Sequence, residues 1–290
     1  MSAFERRAEI LGSICQHRVL STPQIRAIHL PEYGERWSQR VMASLAEEGL
    51  VSFTRVPGGI PDQPRRLWFI SEEGAEAARA AGVIEGPVHI LTAKQVVGPL
   101  QAHTLAVNDS GISFLRAARD RGDEFGPMAW RHEVAHPVGG GRTARARKRV
   151  VADAVLTYLR ITSEEIVVEQ RFLEVDRNTL TVDRLGAELS RYATLYRAPG
   201  DDGEPRWKSW YPWFPPIICV LAGASRAALE RRRETVSALL SADQELERAD
   251  GVSIRICLAE DLDAEGPFAP IFNDPRRPGA SVSWLVEEGE

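Results

Sequence analysis

The strongest constraint on the fold lies in the first eighty or so residues, where turn-forming residues cut the chain into four helical segments and two strand-like runs. FERRAEILGSICQHR puts Phe4, Ile10, Leu11 and Ile14 near one face at helical spacing, which predicts a first helix. In STPQIRAIHL, Ser21 or Thr22 stands where an N-cap is wanted and Pro23 follows at the first helical position, so a second, short helix begins there. After the turn PEYGE, the stretch RWSQRVMASLAEEGL predicts a third, with Trp37, Val41, Met42 and Leu45 inward and Gly49 as its stop. LVSFTRV and RRLWFIS then read as two strands joined by the turn-rich PGGIPDQP, and EEGAEAARAAG closes the unit as a small-residue helix.

Three helices followed by a hairpin is the order of a winged helix-turn-helix. In that motif the third helix enters the major groove and the hairpin contacts the backbone or the minor groove. The exposed start of the third helix here would present Arg36, Ser38, Gln39 and Arg40, side-chain types that read base edges and phosphates. Arg55, Arg65 and Arg66 stand on or beside the wing. Winged helices also serve as protein-docking modules. Charge favours DNA, because the acids Glu47 and Glu48 lie at the far end of the third helix.

A second basic feature is GRTARARKR, residues 141–149, with Arg142, Arg145, Arg147, Lys148 and Arg149 and no acid among them. Such a run is either a solvated loop or a phosphate contact, since clustered arginines displace counterions from a nucleic-acid backbone. The net charge of −5 supplies no general attraction to nucleic acid, so the distribution of charge must carry the argument. With 290 residues the chain has room for two ordinary domains. No apolar run approaches the roughly 20 residues of a membrane span. The start, MSAFERRAEILGS, lacks the apolar core of a secretion signal. Cys15, Cys219 and Cys257 are too scattered for a disulfide framework or a cysteine zinc site. The expectation is a cytoplasmic protein without a membrane partner.

WRHEVAHP contains His132-Glu133-Val134-Ala135-His136, the HExxH pattern that binds zinc when it lies on a helix. Here Pro137 follows at once and forces His136 away from helical geometry, and Arg142 stands where a third ligand is wanted. Trp130, His132 and Val134 alternate with Arg131, Glu133 and Ala135, as in a half-buried strand. No zinc is expected.

RVVADAVLTYL and IVVEQRFLEVDRN, joined by ITSEE, predict a hairpin that carries Asp153 on one strand and Glu174 and Asp176 on the other. Residues two apart on a strand share a face. Three unpaired carboxylates on one face repel each other, and Mg²⁺ or Mn²⁺ is the usual remedy. The alternative is a set of solvated acids paired with Arg177, Arg184 or Arg191. TVDRLGAELSRYATLYRA reads as a helix, and RWKSWYPWFPPIICVLAG is aromatic-rich and ends in an apolar strand, central in a sheet. Those aromatics either stack on single-stranded bases or pack over a sheet edge, and packing is favoured. SRAALERRRETVSALLSA predicts another helix, and GVSIRICLAE and ASVSWLVEE the last strands. The second half is thus a mixed α/β sandwich whose acids sit on its second and third strands, as in the PD-(D/E)XK nuclease core.

HTLAVND on the long helix preceding, the strand leading to ADAVL, and FLEVDRNT followed by a helix ending LSRYATLY resemble the replication-relaxation family. Those proteins, from actinobacterial plasmids and chromosomes, are linked to plasmid replication and DNA relaxation. The resemblance covers the chain to about residue 200 and implies that the family's acidic positions are Asp153, Glu174 and Asp176. Two departures stand out: Ala152 replaces the usual proline before the first acid, and Glu188 stands where the helix usually carries a lysine. The nuclease lysine two residues past the acid is replaced by Asp176, and Lys148 or Arg149 is left to supply positive charge.

The sequence therefore predicts an α+β chain. Residues 1–85 form a winged helix-turn-helix, 86–98 a linker and 99–290 a PD-(D/E)XK nuclease-like domain. The first function expected is a double-stranded-DNA-binding protein of plasmid or mobile-element replication, or of its regulation, with a body that does not cut. A metal-dependent endonuclease or nickase using Asp153, Glu174 and Asp176 is the second, and a protein-interaction module the third. A homodimer is left open.

Overall fold

A computed structural model describes residues 3–57, 65–98, 101–139, 148–201 and 203–285. The fold is α+β, and its contacts divide the chain into two units. One comprises Met1–Leu115 with Gly126–Met128, the other Arg116–Phe125 with Ala129–Glu290.

The first unit runs α1 (Ala3–His17), β1 (Leu20–Ser21), α2 (Thr22–His29), α3 (Glu35–Glu47), β2 (Val51–Val56), β3 (Arg65–Ile70), α4 (Glu72–Ala80) and α5 (Ala93–Val96), followed by the start of α6 (Gln101–Arg121). Local chemistry sets these limits. Ser21 Oγ accepts from the Gln24 N–H at 3.3 Å while Gln24 Oε1 accepts from the Ser21 N–H at 3.0 Å, a complete capping box for α2. Gly49, with φ +75°, follows α3 in a left-handed conformation that costs glycine little. Gly74 allows close packing instead: a Cβ there would lie 1.8 Å from the Leu50 carbonyl oxygen. β1, β3 and β2 form an antiparallel sheet in that order. β1 is only two residues long and leaves no periodic signal in the sequence.

Ile10, Leu11, Ile14, Ile25, Ile28, Met42, Leu45, Trp68 and Ile70 are buried, and Trp68 Nε1 donates to Thr22 Oγ1 at 2.9 Å. Phe4, expected on the inward face of α1, is 74% exposed. A second cluster joins Leu67 and Phe69 of β3 to Val19, Val96 and Leu105. Residues 86–98, read from the sequence as a linker, thus include a capped helical turn with a buried valine, worth roughly 1.5–3 kcal/mol of apolar burial. The division between units falls within α6, which ends at Gly122 with φ +76°.

The second unit is built on a seven-stranded mixed sheet. β4 (Trp130–Pro137), β5 (Arg149–Ile161) and β6 (Ile166–Asp176) form an antiparallel meander. β7 (Ile217–Leu221) pairs parallel to β6, and β8 (Ile254–Leu258) parallel to β7. The short β9 (Phe272–Asn273) and β10 (Ser281–Val282) complete the order β10-β9-β8-β7-β6-β5-β4. α7 (Val182–Arg197), α8 (Arg226–Ser241), α9 (Gln244–Glu247), α10 (Ala259–Glu265) and a 3₁₀ turn at Arg206–Ser209 supply the helical layers. All five residues of β7 are buried, as a strand covered on both faces requires. Its main core joins Phe172, Leu189, Tyr192, Ile217 and Val236 with Trp207, Tyr211 and Phe214 of the aromatic segment. Those three rings pack the core, whereas Trp210 and Trp213 remain exposed.

The HExxH stretch is β4. Trp130 and His136 are buried while Arg131, Glu133 and Ala135 are exposed. Residues four apart on a strand are separated by about 13 Å, too far for His132 and His136 to share one tetrahedral ion as helical neighbours do. His136 Nε2 instead lies 2.7 Å from Tyr211 Oη. Among the described residues no helix is long and apolar enough to cross a membrane.

Candidate nucleic-acid interface and carboxylate site

α1 holds α3 at both ends. Arg6 donates to Tyr33 Oη at 2.9 Å and lies over the rings of Tyr33 and Trp37, which stack at 4.1 Å. At the other end Arg7 bonds Ser44 Oγ at 3.1 Å and Glu48 Oε2 at 2.5 Å. With the inner face occupied by Met42 and Leu45, α3 leaves Arg36, Gln39 and Arg40 exposed. Residues three and four apart are neighbours on a helix, so these three form one surface. Gln39 Nε2 donates to Glu35 Oε1 at 3.1 Å, whereas Arg36 and Arg40 pair with no acid among the described residues. Ser38 does not belong to this surface. It is fully buried, because its position on the turn faces Met42 and Leu45 across the core side.

The hairpin adds three more cations. The β2–β3 register sets Phe53 opposite Trp68, Arg55 opposite Arg66, and Val56 opposite Arg65. Arg55 and Arg65 are exposed and Arg66 half-buried, none paired with an acid among the described residues. Next to the arginines on that face lies the exposed ring of Phe53, with Arg66 Cζ at 5.1 Å and Arg55 Cζ at 5.8 Å from its centroid. Sequence reasoning passed over Phe53. The signal was the alternation of LVSFTRV, which puts Val51, Phe53 and Arg55 on one face. Of the second basic run, Lys148 and Arg149 are exposed, and Arg142, Arg145 and Arg147 lie outside the described residues.

In the second unit β6 brings Glu174 and Asp176 to one end of the sheet, paired with Cys219 and Leu221 of β7. β5 leaves β6 just beyond Ala154, and the Asp153 carboxylate takes over as partner: its Oδ2 accepts the Val175 N–H at 2.8 Å. Asp153 and Glu174 therefore stand side by side. Tyr192 of α7 donates to Glu174 Oε1 at 2.5 Å. Burial, and then the negative charge of Asp153, hold the Glu174 carboxyl well above the usual carboxylate range. Asp176 is engaged elsewhere. Its Oδ2 accepts from Arg232 Nε of α8 at 2.5 Å in a buried ion pair, and Arg232 Nη2 also donates to the Leu180 carbonyl at 2.8 Å. Neither Arg177, Arg184 nor Arg191 is that partner.

A replication-relaxation family model matches residues 11–204, more than half of the 290. The chain belongs to the replication-relaxation family. No curated protein and no solved structure matches it. The family match spans α1 to the loop after α7 and so includes Asp153, Glu174 and Asp176, but it ends before α8 and Arg232. The donor set of this replication-relaxation protein does not fit a three-carboxylate Mg²⁺ or Mn²⁺ site. Asp176 is ion-paired with Arg232, and the buried Glu174 carboxyl, its affinity for a proton raised by burial, accepts a hydrogen bond from Tyr192. Among the described residues no group of three or more His, Cys, Asp or Glu is disposed to hold a metal ion.

Proposed function

We propose that this replication-relaxation protein binds duplex DNA through a winged helix formed by its first unit, and acts in plasmid or mobile-element replication or its control. The observation that carries the reading is the set of arginines at positions 36, 40, 55, 65 and 66, which lack acidic partners among the described residues of one unit. Elsewhere the chain readily pairs its arginines, as Arg7, Arg116, Arg226 and Arg232 show. Cations left unneutralised on a helix face and a neighbouring hairpin suit a polyanion. In the complex α3 lies in the major groove, where Arg36 and Arg40 reach guanine O6 and N7 or flanking phosphates, and Gln39 reaches adenine. The hairpin arginines take the backbone. Lys148 and Arg149 extend the contact along the nucleic acid in the second unit.

The second unit is read as a PD-(D/E)XK nuclease-like body that does not cut. Its antiparallel meander followed by a parallel strand agrees with that core, and the Arg232–Asp176 pair removes one of the acids that cutting needs. The test is a salt titration of duplex binding together with a plasmid-nicking assay in Mg²⁺ and Mn²⁺. Arg36→Ala and Arg40→Ala should each weaken binding, by about 1–3 kcal/mol where the side chain reads a base, or reduce the salt slope where it touches phosphate. Unchanged affinity and slope in the double variant sinks the DNA reading and leaves a protein-docking module. Metal-dependent nicking abolished by Asp153→Ala replaces the non-cutting body with a nuclease.

A further inference from the structure

We infer that Phe53 is an apolar DNA contact, its ring packing against the deoxyriboses that wall the minor groove while Arg55 and Arg66 beside it take the adjacent phosphates. The inference rests on the duplex-binding reading and adds to it a residue of a different chemistry. A single exposed phenylalanine is ordinary and on its own carries nothing. Three features make this one different. It lies on a strand face with Arg55 and Arg66, whose Cζ atoms approach its ring to 5.8 and 5.1 Å. Those arginines are direct cross-strand partners, an arrangement of like charges that disfavours the strand pair unless an anion joins it. No acid among the described residues does so.

The position also suits the role. Phe53 is 39% exposed, yet its inner edge rests on Trp68, with ring centroids 5.0 Å apart, and Trp68 is fully buried and bonded to Thr22 of α2. The ring is therefore held in place before any ligand arrives. A phenyl ring has no donor or acceptor with which to read a base edge. What it offers beside two phosphate-seeking cations is apolar surface, and apolar side chains that enter the minor groove bury themselves against sugars or between base steps.

The experiment measures duplex and single-strand affinity against salt concentration for full-length wild type, Phe53→Ala, Phe53→Leu, Arg55→Ala/Arg66→Ala and Arg36→Ala/Arg40→Ala. Hydroxyl-radical footprints, which report on minor-groove sugars, are taken on the same complexes. Covering the remaining two-fifths of a phenyl ring corresponds to roughly a three- to sevenfold gain in affinity. Phe53→Ala should lose that factor at an unchanged salt slope, because no counterion is exchanged. It should also uncover one patch of sugars while the rest of the footprint persists. Phe53→Leu should keep most of the affinity and controls for a folding defect. The arginine pair should lower the slope by about two units. If Phe53→Ala binds like wild type with its footprint intact while Arg36→Ala/Arg40→Ala weakens binding, the inference falls and the duplex reading stands. If Phe53→Ala loses single-stranded binding alone, the ring stacks on bases and the minor-groove assignment is wrong. If wild type binds no duplex, both fall.

Discussion

Replacing Arg232 with methionine tests whether Asp176 is a structural group or a member of the carboxylate site. The side chains of Arg232 and Asp176 are 8% and 1% exposed, and Asp176 Oδ1 has no hydrogen-bond partner among the described residues. Arg232→Met therefore leaves a carboxylate bare of compensation inside the protein, a change that typically costs about 3–5 kcal/mol. The Leu180 carbonyl loses its donor as well, which adds about 1 kcal/mol. Asp176→Leu should cost about as much, because it strands a guanidinium instead. The double variant removes both charges and should lose no more than about 2 kcal/mol, far less than the two single losses together. Urea unfolding followed by tryptophan fluorescence at pH 7 measures all four proteins. Single losses below about 1 kcal/mol, or a double loss equal to the sum of the singles, would refute the coupling. Mn²⁺ adds a second readout. If Asp176 were a metal ligand held off by Arg232, freeing it would make Arg232→Met gain more stability from Mn²⁺ than wild type. Equal responses are expected.

Three further predictions concern buried titrating groups and the histidines of β4. Glu174 has a raised pKa, so its contribution is intact below the ordinary value of 4.5 and is lost as pH rises toward the folded value. Glu174→Gln, which keeps an acceptor for Tyr192, should be more stable than wild type at pH 8, with a gap that closes toward pH 4.5; a gap independent of pH refutes the raised value. His136 is shifted the other way, down to about 4 by burial and then by the charge of Arg131. Its neutral ring supports the fold above 6.5, and that support is lost as pH falls from 6.5 to about 4, so His136→Gln should flatten the acid limb of the stability curve in that window. Elemental analysis should find no stoichiometric zinc in the purified protein, and one zinc per chain that disappears in His136→Ala would overturn the strand geometry of β4.

Much of the local structure is legible in the sequence. Ser21, Ser71 and Thr181 cap α2, α4 and α7 through bonds to residues three positions on, and the β-branched runs around Ala154 and Val168 form the β5–β6 hairpin. The alternation from Trp130 to His136 outweighs the HExxH match because Pro137 bars a helix. Elements two residues long, such as β1, β9 and β10, span no more than one repeat of the strand pattern and owe their existence to the strands beside them. Ser38 was misplaced for a related reason: its side-chain type suits an exposed recognition surface, but its angular position on α3 turns it inward.

Caps, turns and periodicities act over a few residues, so the sequence by itself determined the α+β character, the order of the longer elements and the two acidic strands. Which charges are paired is decided only in three dimensions. Asp153 and Glu174 meet because β5 separates from β6 at Ala154, and Tyr192 reaches Glu174 because α7 packs over that strand end. Asp176 is neutralised by an arginine 56 positions away, a distance along the chain that no local motif encodes. Arg36 and Arg40 have no acidic partner among the described residues, whereas Arg7 of α1 pairs with Glu48 at the end of α3. Coulomb interactions depend on separations of a few ångströms and on the water between the charges. Packing sets both.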